Sequence, residues 1–481
     1  MTLNLYNTLT RRQEPFQPLE AGKVKMYCCG ITVYDYCHLG HARTCIIWDV
    51  VRRYLEWLGY DVQYIQNFTD IDDKILNRAK QEGSTMAAVS ERFIAAYFED
   101  MEALSVKPAT FYPRATHSLN GIKRLVAELE AKGYAYPSAG DVYYAVHKFP
   151  DYGKLSGRQR EQMQAGASGR VEDPEASKKQ DPFDFALWKA AKPDEPSWES
   201  PWGAGRPGWH IECSAMVREH LGETIDLHVG GSDLIFPHHE NEIAQSEAAT
   251  GHPLARYWLH NGMVKVGGEK MSKSLGNFTT IRELLAKFDP MAVRLFVLQG
   301  HYRKPLDFAD EALQAATNGW HTLREGLLLG YEYGAKWGWD LTFTPLTPVS
   351  NELTHRFQEA VNEDFNFAEG LAILFELAKE LRRVDNSWVH QGQLDGDSAQ
   401  LQVHWQTLVT LAGVVGLKVE PPQMTETLPT LSDEAIEDLI QQRAAARRAK
   451  NFAEGDRLRD ELKAQGITLI DQPGGVTTWH R

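Results

Sequence analysis

Two short motifs far apart along the chain constrain what it can fold into: His38-Leu39-Gly40-His41 near the start, and GGEKMSKSLG at residues 267–276. On a Gly-bounded loop, Lys270 and Lys273 suit the closing of mobile point charges over a polyphosphate. Two histidines placed where a strand turns into a helix suit hydrogen-bond donation to the same phosphates. Either motif alone reads as a solvated basic loop or a chance pair. Their order and separation point instead to an ATP-activating site, which requires a fold that carries both regions to one edge.

The local pattern offers such an edge. Val24 to Cys29 reads as a buried strand and Gly30 to Gly40 as a turn. Ala42 to Leu58 reads as a helix with Ile46, Val50, Leu55 and Leu58 toward the core, and Val62 to Phe68 as a second strand. Ligands gather outside the carboxyl ends of the strands of such a βαβ unit, where Cys29, His38, His41 and Thr69 fall. Residues from about 110 to 205 interrupt the pattern as an insertion, with a strand-like Asp141 to Val146 and a Gly- and charge-rich stretch from Gln159 to Gln180. The nucleotide fold resumes with a strand over 225–229, a helix over 237–249 and a segment, 257–266, that leads into the lysine loop. Past Arg303, apolar residues repeat at three and four (Leu313, Ala316, Trp320, Leu323, Leu327), which predicts a helical bundle. Pro421 and Pro422 mark a linker to helices near 432–449 and 451–464 and a hairpin of 468–471 with 476–479. The expected domains are 1–310 (insertion about 110–205, lysine-loop region about 265–310), 311–425 and 426–481.

At 481 residues the chain exceeds one hydrophobic core. An apolar share of 43% with 24% charged residues is that of a soluble globular protein. The N-terminal stretch lacks an apolar segment of signal-peptide length, and no apolar run approaches a membrane span, so a cytoplasmic protein without a membrane partner is expected. The five cysteines, at 28, 29, 37, 45 and 213, form a lopsided set that suggests metal binding or inert burial rather than disulfides. A net charge of -14 disfavours a nucleic-acid partner only if spread evenly. Residues 441–463 carry seven basic residues, Arg447 and Arg448 among them, against four acidic ones, so a local RNA-binding surface and a solvated helical hairpin both fit that segment.

The two motifs resemble the signature of class I aminoacyl-tRNA synthetases. Four further stretches narrow the resemblance: CGITVYD at 29–35, NFTDIDDK at 67–74, GRPGWHIECS at 205–214 and GGSDLIFPHHENE at 230–242 are similar to those of cysteinyl-tRNA synthetases, and the likeness runs nearly end to end. It implies an α/β fold: a Rossmann-like class I catalytic domain with an insertion, then an α-helical bundle and a small α+β C-terminal domain. It further implies activation of L-cysteine with ATP-Mg²⁺, transfer to tRNA(Cys) and a monomeric enzyme.

A metal site enters the same way. His238 and Glu242, four apart on a predicted helix, project from one face and can share an ion. With the thiols of Cys29 and Cys213 they form a mixed soft set that suits Zn²⁺ over Mg²⁺ or Ca²⁺. Adjacent strand residues face opposite ways, so only one of Cys28 and Cys29 can reach such a site. The family pattern selects Cys29, directly before Gly30, and implies one zinc per chain on Cys29, Cys213, His238 and Glu242. His239, rotated by about 100 degrees around the helix, is expected in the site wall or in packing; Cys37 and Cys45 are expected to be structural. An apolar pocket separates near-isosteres by only roughly 100-fold, whereas a thiolate-seeking metal separates cysteine from serine by chemistry.

The resemblance also implies residue roles. Gly30, Thr69, Trp209 and Asp233 line the cysteine and adenylate pocket. His38, His41, Lys270 and Lys273 bind ATP and stabilise charge on its phosphates, and no protein nucleophile is needed. Arg447, Arg448 and Trp479 are expected to touch tRNA. Two rivals share parts of this pattern. A cysteine ligase with an amino-sugar acceptor would not need the C-terminal hairpin and the terminus QPGGVTTW at 472–479. A noncatalytic tRNA-binding paralogue would be expected to lose the phosphate-site residues, which are intact here.

Overall fold

The computed structural model describes residues 1–158, 176–193, 195–270, 278–341, 351–391, 394–421, 431–449, 451–465, 467–471 and 477–480. The chain forms two units. The first comprises Met1–Trp320, Ser350–Ile373 and Leu411–Lys418, and the second His321–Val349, Leu374–Thr410 and Val419–Arg481.

The first unit opens with a hairpin of β1 (Asn4–Asn7) and β2 (Arg12–Pro15). Then come β3 (Lys23–Thr32), α1 (Leu39–Trp57) and β4 (Asp61–Thr69), the expected βαβ unit with β3 and β4 parallel. β3 is longer than the sequence suggested, running through Gly30 to Thr32 instead of turning at residue 30. The reason is close approach: a Cβ on Gly30 would fall 1.6 Å from the Asn67 carbonyl oxygen, and its N–H donates to Asn67 Oδ1 at 2.8 Å. Glycine there lets two strands press together across a register shift. On α1, Ile46, Val50 and Leu55 are buried as expected, while Leu58 sits just past the helix and is only half-buried.

α2 (Asp73–Glu82) and α3 (Met86–Ala103) follow, then the insertion. It holds α4 (Leu119–Ala131) and an antiparallel sheet of β5 (Ala135–Ser138), β6 (Asp141–Tyr144), β7 (Phe185–Ala190) and β8 (Gly205–Pro207). The insertion shares one core with the nucleotide fold, in which Leu125, Val142, Trp188, Ile211 and Trp258 are all buried.

α5 (Trp209–His220), β9 (Ile225–Gly231), α6 (Glu240–Thr250) and β10 (Ala255–Asn261) complete the parallel sheet in the order β10-β9-β3-β4. From the neighbours β3 and β9 the chain leads off in opposite directions, to β4 and to β10. Right-handed crossovers then make the gap between their carboxyl ends the topological switch point, where ligands bind. A small sheet of β11 (Val264–Val266), β12 (Glu269–Lys270) and β13 (Leu306–Phe308) flanks α7 (Ile281–Leu285) and α8 (Pro290–Leu298) in sequence. Helices α9 (Asp310–Tyr333), α10 (Glu352–Asn362), α11 (Phe367–Gln391) and α12 (Ser398–Val414) carry the expected helical periodicity.

In the second unit, α13 (Asp433–Arg448) and α14 (Phe452–Ala464) join the hairpin of β14 (Thr468–Asp471) and β15 (Thr477–His480) around Ile436, Ile440, Leu462 and Ile467. No helix among the described residues is long and apolar enough to cross a membrane.

Candidate metal and adenylate-forming site

α1 starts with a reciprocal cap made by the two motif histidines. His38 Nδ1 accepts the Gly40 N–H at 3.0 Å, and His41 Nδ1 accepts the His38 N–H at 3.2 Å. With both Nδ1 atoms acting as acceptors, each neutral ring carries its proton on Nε2 as a donor. The rings stack with centroids 3.8 Å apart. Gly40 is required, because a Cβ there would meet the His38 ring at 2.8 Å.

The lysine loop is tied to this cap at its exit. Leu39 N–H donates to the Thr279 carbonyl at 3.1 Å, Ile281 N–H donates to the Cys37 carbonyl at 2.9 Å, and Phe278 sets its ring edge on His38. At its entry, Lys270 lies in β12, paired with Lys265 of β11. Lys273 and the Lys270 side chain lie outside the described residues. The fold therefore carries both flanks of the second motif to the region of the first.

The regular helix of α6 starts at Glu240, not at residue 237 as the sequence suggested, because the backbone at Phe236 is extended. Cys29 near the end of β3, Cys213 on α5, Glu242 at the start of α6 and His238 in the turn of residues 235–239 just before it converge under the sheet edge. Their ligand atoms lie within 4.8 Å of one another, all buried. Cys29 Sγ is 3.8 Å from Cys213 Sγ and 3.1 Å from Glu242 Oε1, which lies 3.0 Å from His238 Nε2. A tetrahedral zinc with bonds of 2.0–2.3 Å separates its ligand atoms by about 3.3–3.8 Å, so these three separations lie within tenths of an ångström of what such an ion needs. The four groups also perturb one another electrostatically. Burial pushes the Cys29 thiol well up, while the hydrogen bond from Cys29 lowers Cys213 to about 6. Burial lowers His238, but Glu242 and Cys213 override it and raise the imidazole to about 10. Burial raises the Glu242 carboxyl, yet His228 and His238 hold it well below its usual range. Cys28 faces the other way, toward Tyr64 and Cys45.

A second quartet, Cys29, His228, His239 and Glu242, shares two of these residues. His228 Nε2 lies 2.9 Å from Glu242 Oε2, with its ring stacked on Trp258 at 4.3 Å. His239 Nδ1 is 2.8 Å from His260 Nε2, and burial holds His239 neutral, well below the ordinary imidazole range. His210 Nδ1 lies 3.0 Å from His238 Nδ1. Such partners orient ligands and fix tautomers.

Trp209, half-exposed at the start of α5, stacks on His238 with centroids 4.3 Å apart. Thr69 is buried and its hydroxyl donates to Glu212 at 3.1 Å. Asp233 is exposed, in a short turn after β9, with Oδ1 against Gly231. A cavity of about 270 Å³ opens beside Trp209 and His210, walled by Asp72, Asp73, Lys189 and Arg206. In the second unit, Arg447 and Arg448 are exposed on α13, whereas Trp479 packs against the small core with its Nε1 3.4 Å from Glu437.

The sequence profile of the class I (C) tRNA synthetase catalytic domain matches residues 15–318, that of the DALR domain residues 356–420, and that of the cysteinyl-tRNA ligase anticodon binding domain residues 429–479. Similar over their full lengths are the cysteine–tRNA ligases of Rippkaea orientalis, at 74% identity, and of a Synechocystis species, at 70%. This chain belongs to the cysteinyl-tRNA synthetases. Among solved structures it resembles the methionyl-tRNA synthetase of Mycobacterium tuberculosis with methionyl-adenylate (TM-score 0.57, 17% identity, 82% of this chain and 89% of that one). It also resembles a LeuRS–tRNA complex from Agrobacterium radiobacter K84 (TM-score 0.59, 12% identity, 83% and 85%). At those identities the likeness shows the class I fold alone.

Within this synthetase, sequence reasoning missed His228, His210 and Glu212. His228 had one readable signal: it stands just before Val229-Gly230-Gly231, at the carboxyl end of a strand, where ligands gather.

Proposed function

We propose that the chain activates L-cysteine with ATP-Mg²⁺ to cysteinyl-adenylate, releasing pyrophosphate, and transfers it to the 3′ end of tRNA(Cys). The observation that carries this reading is the buried set Cys29, Cys213, His238 and Glu242 at the same sheet edge as the stacked His38–His41 cap. One zinc held there would draw the substrate's sulfur as a thiolate and pass over serine's harder oxygen. This quartet is preferred to the one with His228 and His239, because its two thiols suit zinc. The two histidines already hold Glu242 and His260.

Trp209 stacks on the ligand His238 and closes the side-chain end of the pocket, while Thr69 and Gly30 line its floor. Asp233 is a candidate for the substrate ammonium or the ribose. The cysteine carboxylate attacks the α-phosphorus of ATP in line with departing pyrophosphate. His38 and His41 donate from Nε2 to the phosphates, and Lys270 and Lys273 supply positive charge from the opposite side. The tRNA hydroxyl then attacks the adenylate carbonyl. The match to an anticodon binding domain at 429–479 supports tRNA over an amino-sugar acceptor. A monomer acting in the cytoplasm, with domains at 1–310, 311–425 and 426–481, completes the proposal.

Cysteine-dependent ATP–pyrophosphate exchange, compared with attachment of cysteine to tRNA, tests it. Both should be robust; exchange without charging would favour the small-acceptor ligase. Lys273→Ala should slow adenylate formation by about 100-fold, the scale of losing one preorganised donor. Metal content and melting temperature should stay near the parent's, and a parallel drop in stability would show a structural lysine instead.

A further inference from the structure

We infer that Arg43 is a positioning residue for adenylate formation, setting the spacing between the histidine cap and the strands that carry the lysine loop. The inference rests on the proposed roles of His38, His41 and the two lysines. Arg43 lies two residues past His41 on α1 and is 1% exposed. Its guanidinium meets three carbonyl oxygens: Nη1 donates to Met263 at 2.8 Å, and Nη2 donates to Tyr302 at 3.1 Å and to Lys304. Burial lowers it only to about 10, so it stays a cation at neutral pH. Its Nε has no acceptor among the described residues. A buried cation held by carbonyl dipoles is a costly way to join elements that apolar packing could join.

The three carbonyls are where the lysine-loop sheet begins. Met263 immediately precedes β11, and Tyr302 and Lys304 precede its parallel partner β13. The Met263 carbonyl also accepts the Leu306 N–H at 3.0 Å, and Gly262 N–H donates to the Tyr302 carbonyl at 2.8 Å. A Cβ on Gly262 would lie 2.4 Å from the Lys304 oxygen, so the two chains meet as closely as backbone allows. One turn on, Trp48 Nε1 donates to Asn261 Oδ1 at 3.2 Å and Asn261 Nδ2 donates to Thr44 Oγ1 at 3.2 Å. One face of α1 thereby registers the start of the sheet whose β12 contains Lys270, while the opening turn of the same helix presents His38 and His41. A planar fork fixes both distance and angle, which a lysine point charge does not.

The test measures each step separately in Arg43→Lys and Trp48→Phe, with the full-length protein. Pyrophosphate exchange should fall by about 10-fold or more in Arg43→Lys and less in Trp48→Phe, through kcat or the KM for ATP. The KM for cysteine, the zinc content and single-turnover transfer from preformed cysteinyl-adenylate to tRNA should stay within about threefold, since the proposed zinc ligands lie on β3, on α5, on α6 and in the turn before α6. Exchange within twofold of the parent in both variants overturns the inference. So does an equal loss in every step together with the melting temperature, which marks Arg43 as structural only. If Arg43→Lys does not fold, Trp48→Phe decides by the same criteria. Absent exchange in the parent enzyme would count against the reading of the site, not against this assignment.

Discussion

Cys213→Ser is expected to release the zinc and abolish cysteine activation together, while Cys28→Ser leaves both in place. The two residues are equally buried thiols, so burial does not distinguish them. Direction does. Cys213 Sγ sits 3.8 Å from Cys29 Sγ, and the hydrogen bond from Cys29 lowers its thiol. Cys28 sits on the opposite face of β3 beside Tyr64, and burial pushes its thiol up, as suits an inert group. Outer partners of metal ligands alone change affinity by about 10–100-fold, so replacing a soft ligand with a hard hydroxyl should cost at least the upper end. On the proposed reading, the substrate thiol would then lose what distinguishes it from serine. Cys28→Ser places a hydroxyl where Sγ already faces the Cys29 carbonyl at 3.6 Å, and should lower stability by about 1–3 kcal/mol at most. Elemental analysis with pyrophosphate exchange reads both variants. A zinc-free Cys28→Ser beside a zinc-loaded Cys213→Ser would mean the quartet is wrong, and full activity in metal-free parent protein would remove zinc from the mechanism altogether.

The sequence showed its periodic parts well. The βαβ unit at 23–69 and the helices past residue 310 repeat apolar residues at spacings that only one regular structure satisfies. What it hid has physical reasons. Gly30 reads as a turn because glycine permits one, yet here its missing Cβ admits a neighbouring strand and β3 continues to Thr32. His228 lies on a strand buried on both faces, where no helical spacing marks it, and only the fold brings it to Glu242. Cys29 and Cys28 were separable only by family pattern until the strand's facing was known. The C-terminal charge count also overstated the positive charge open to a partner. Of the basic residues there, Arg443 is buried and Arg457 pairs with Glu454 and Glu461, because counting charges along a chain cannot register which ones face each other. Trp479 was expected to touch tRNA, but its ring contributes to the small core, so a change there would disturb folding as well as any base contact.

A chain ending at Thr425 should still activate cysteine but should lose most tRNA charging. The residues proposed for zinc and the phosphates all lie before Ser274, and the region matching the anticodon binding domain begins at 429. That region has its own small core of Ile436, Ile440, Leu462 and Ile467, so removing it deletes a packed piece and leaves no part of that core behind. Pyrophosphate exchange should remain within about threefold, because the unit adds no reacting group. Charging efficiency should fall by about 100-fold or more, mainly as a higher KM for tRNA. The phosphate contacts proposed for Arg447 and Arg448, exposed at the end of α13, would go with that unit, as would any base contacts, worth about 1–3 kcal/mol each. The residual binding should also depend less steeply on salt, since fewer counterions are released per complex. Circular dichroism establishes that the shortened chain is folded before either assay is read. If that folded chain charges tRNA as efficiently as the full-length protein, the C-terminal unit does not read the tRNA, and an acceptor too small to need it becomes the better account of the site.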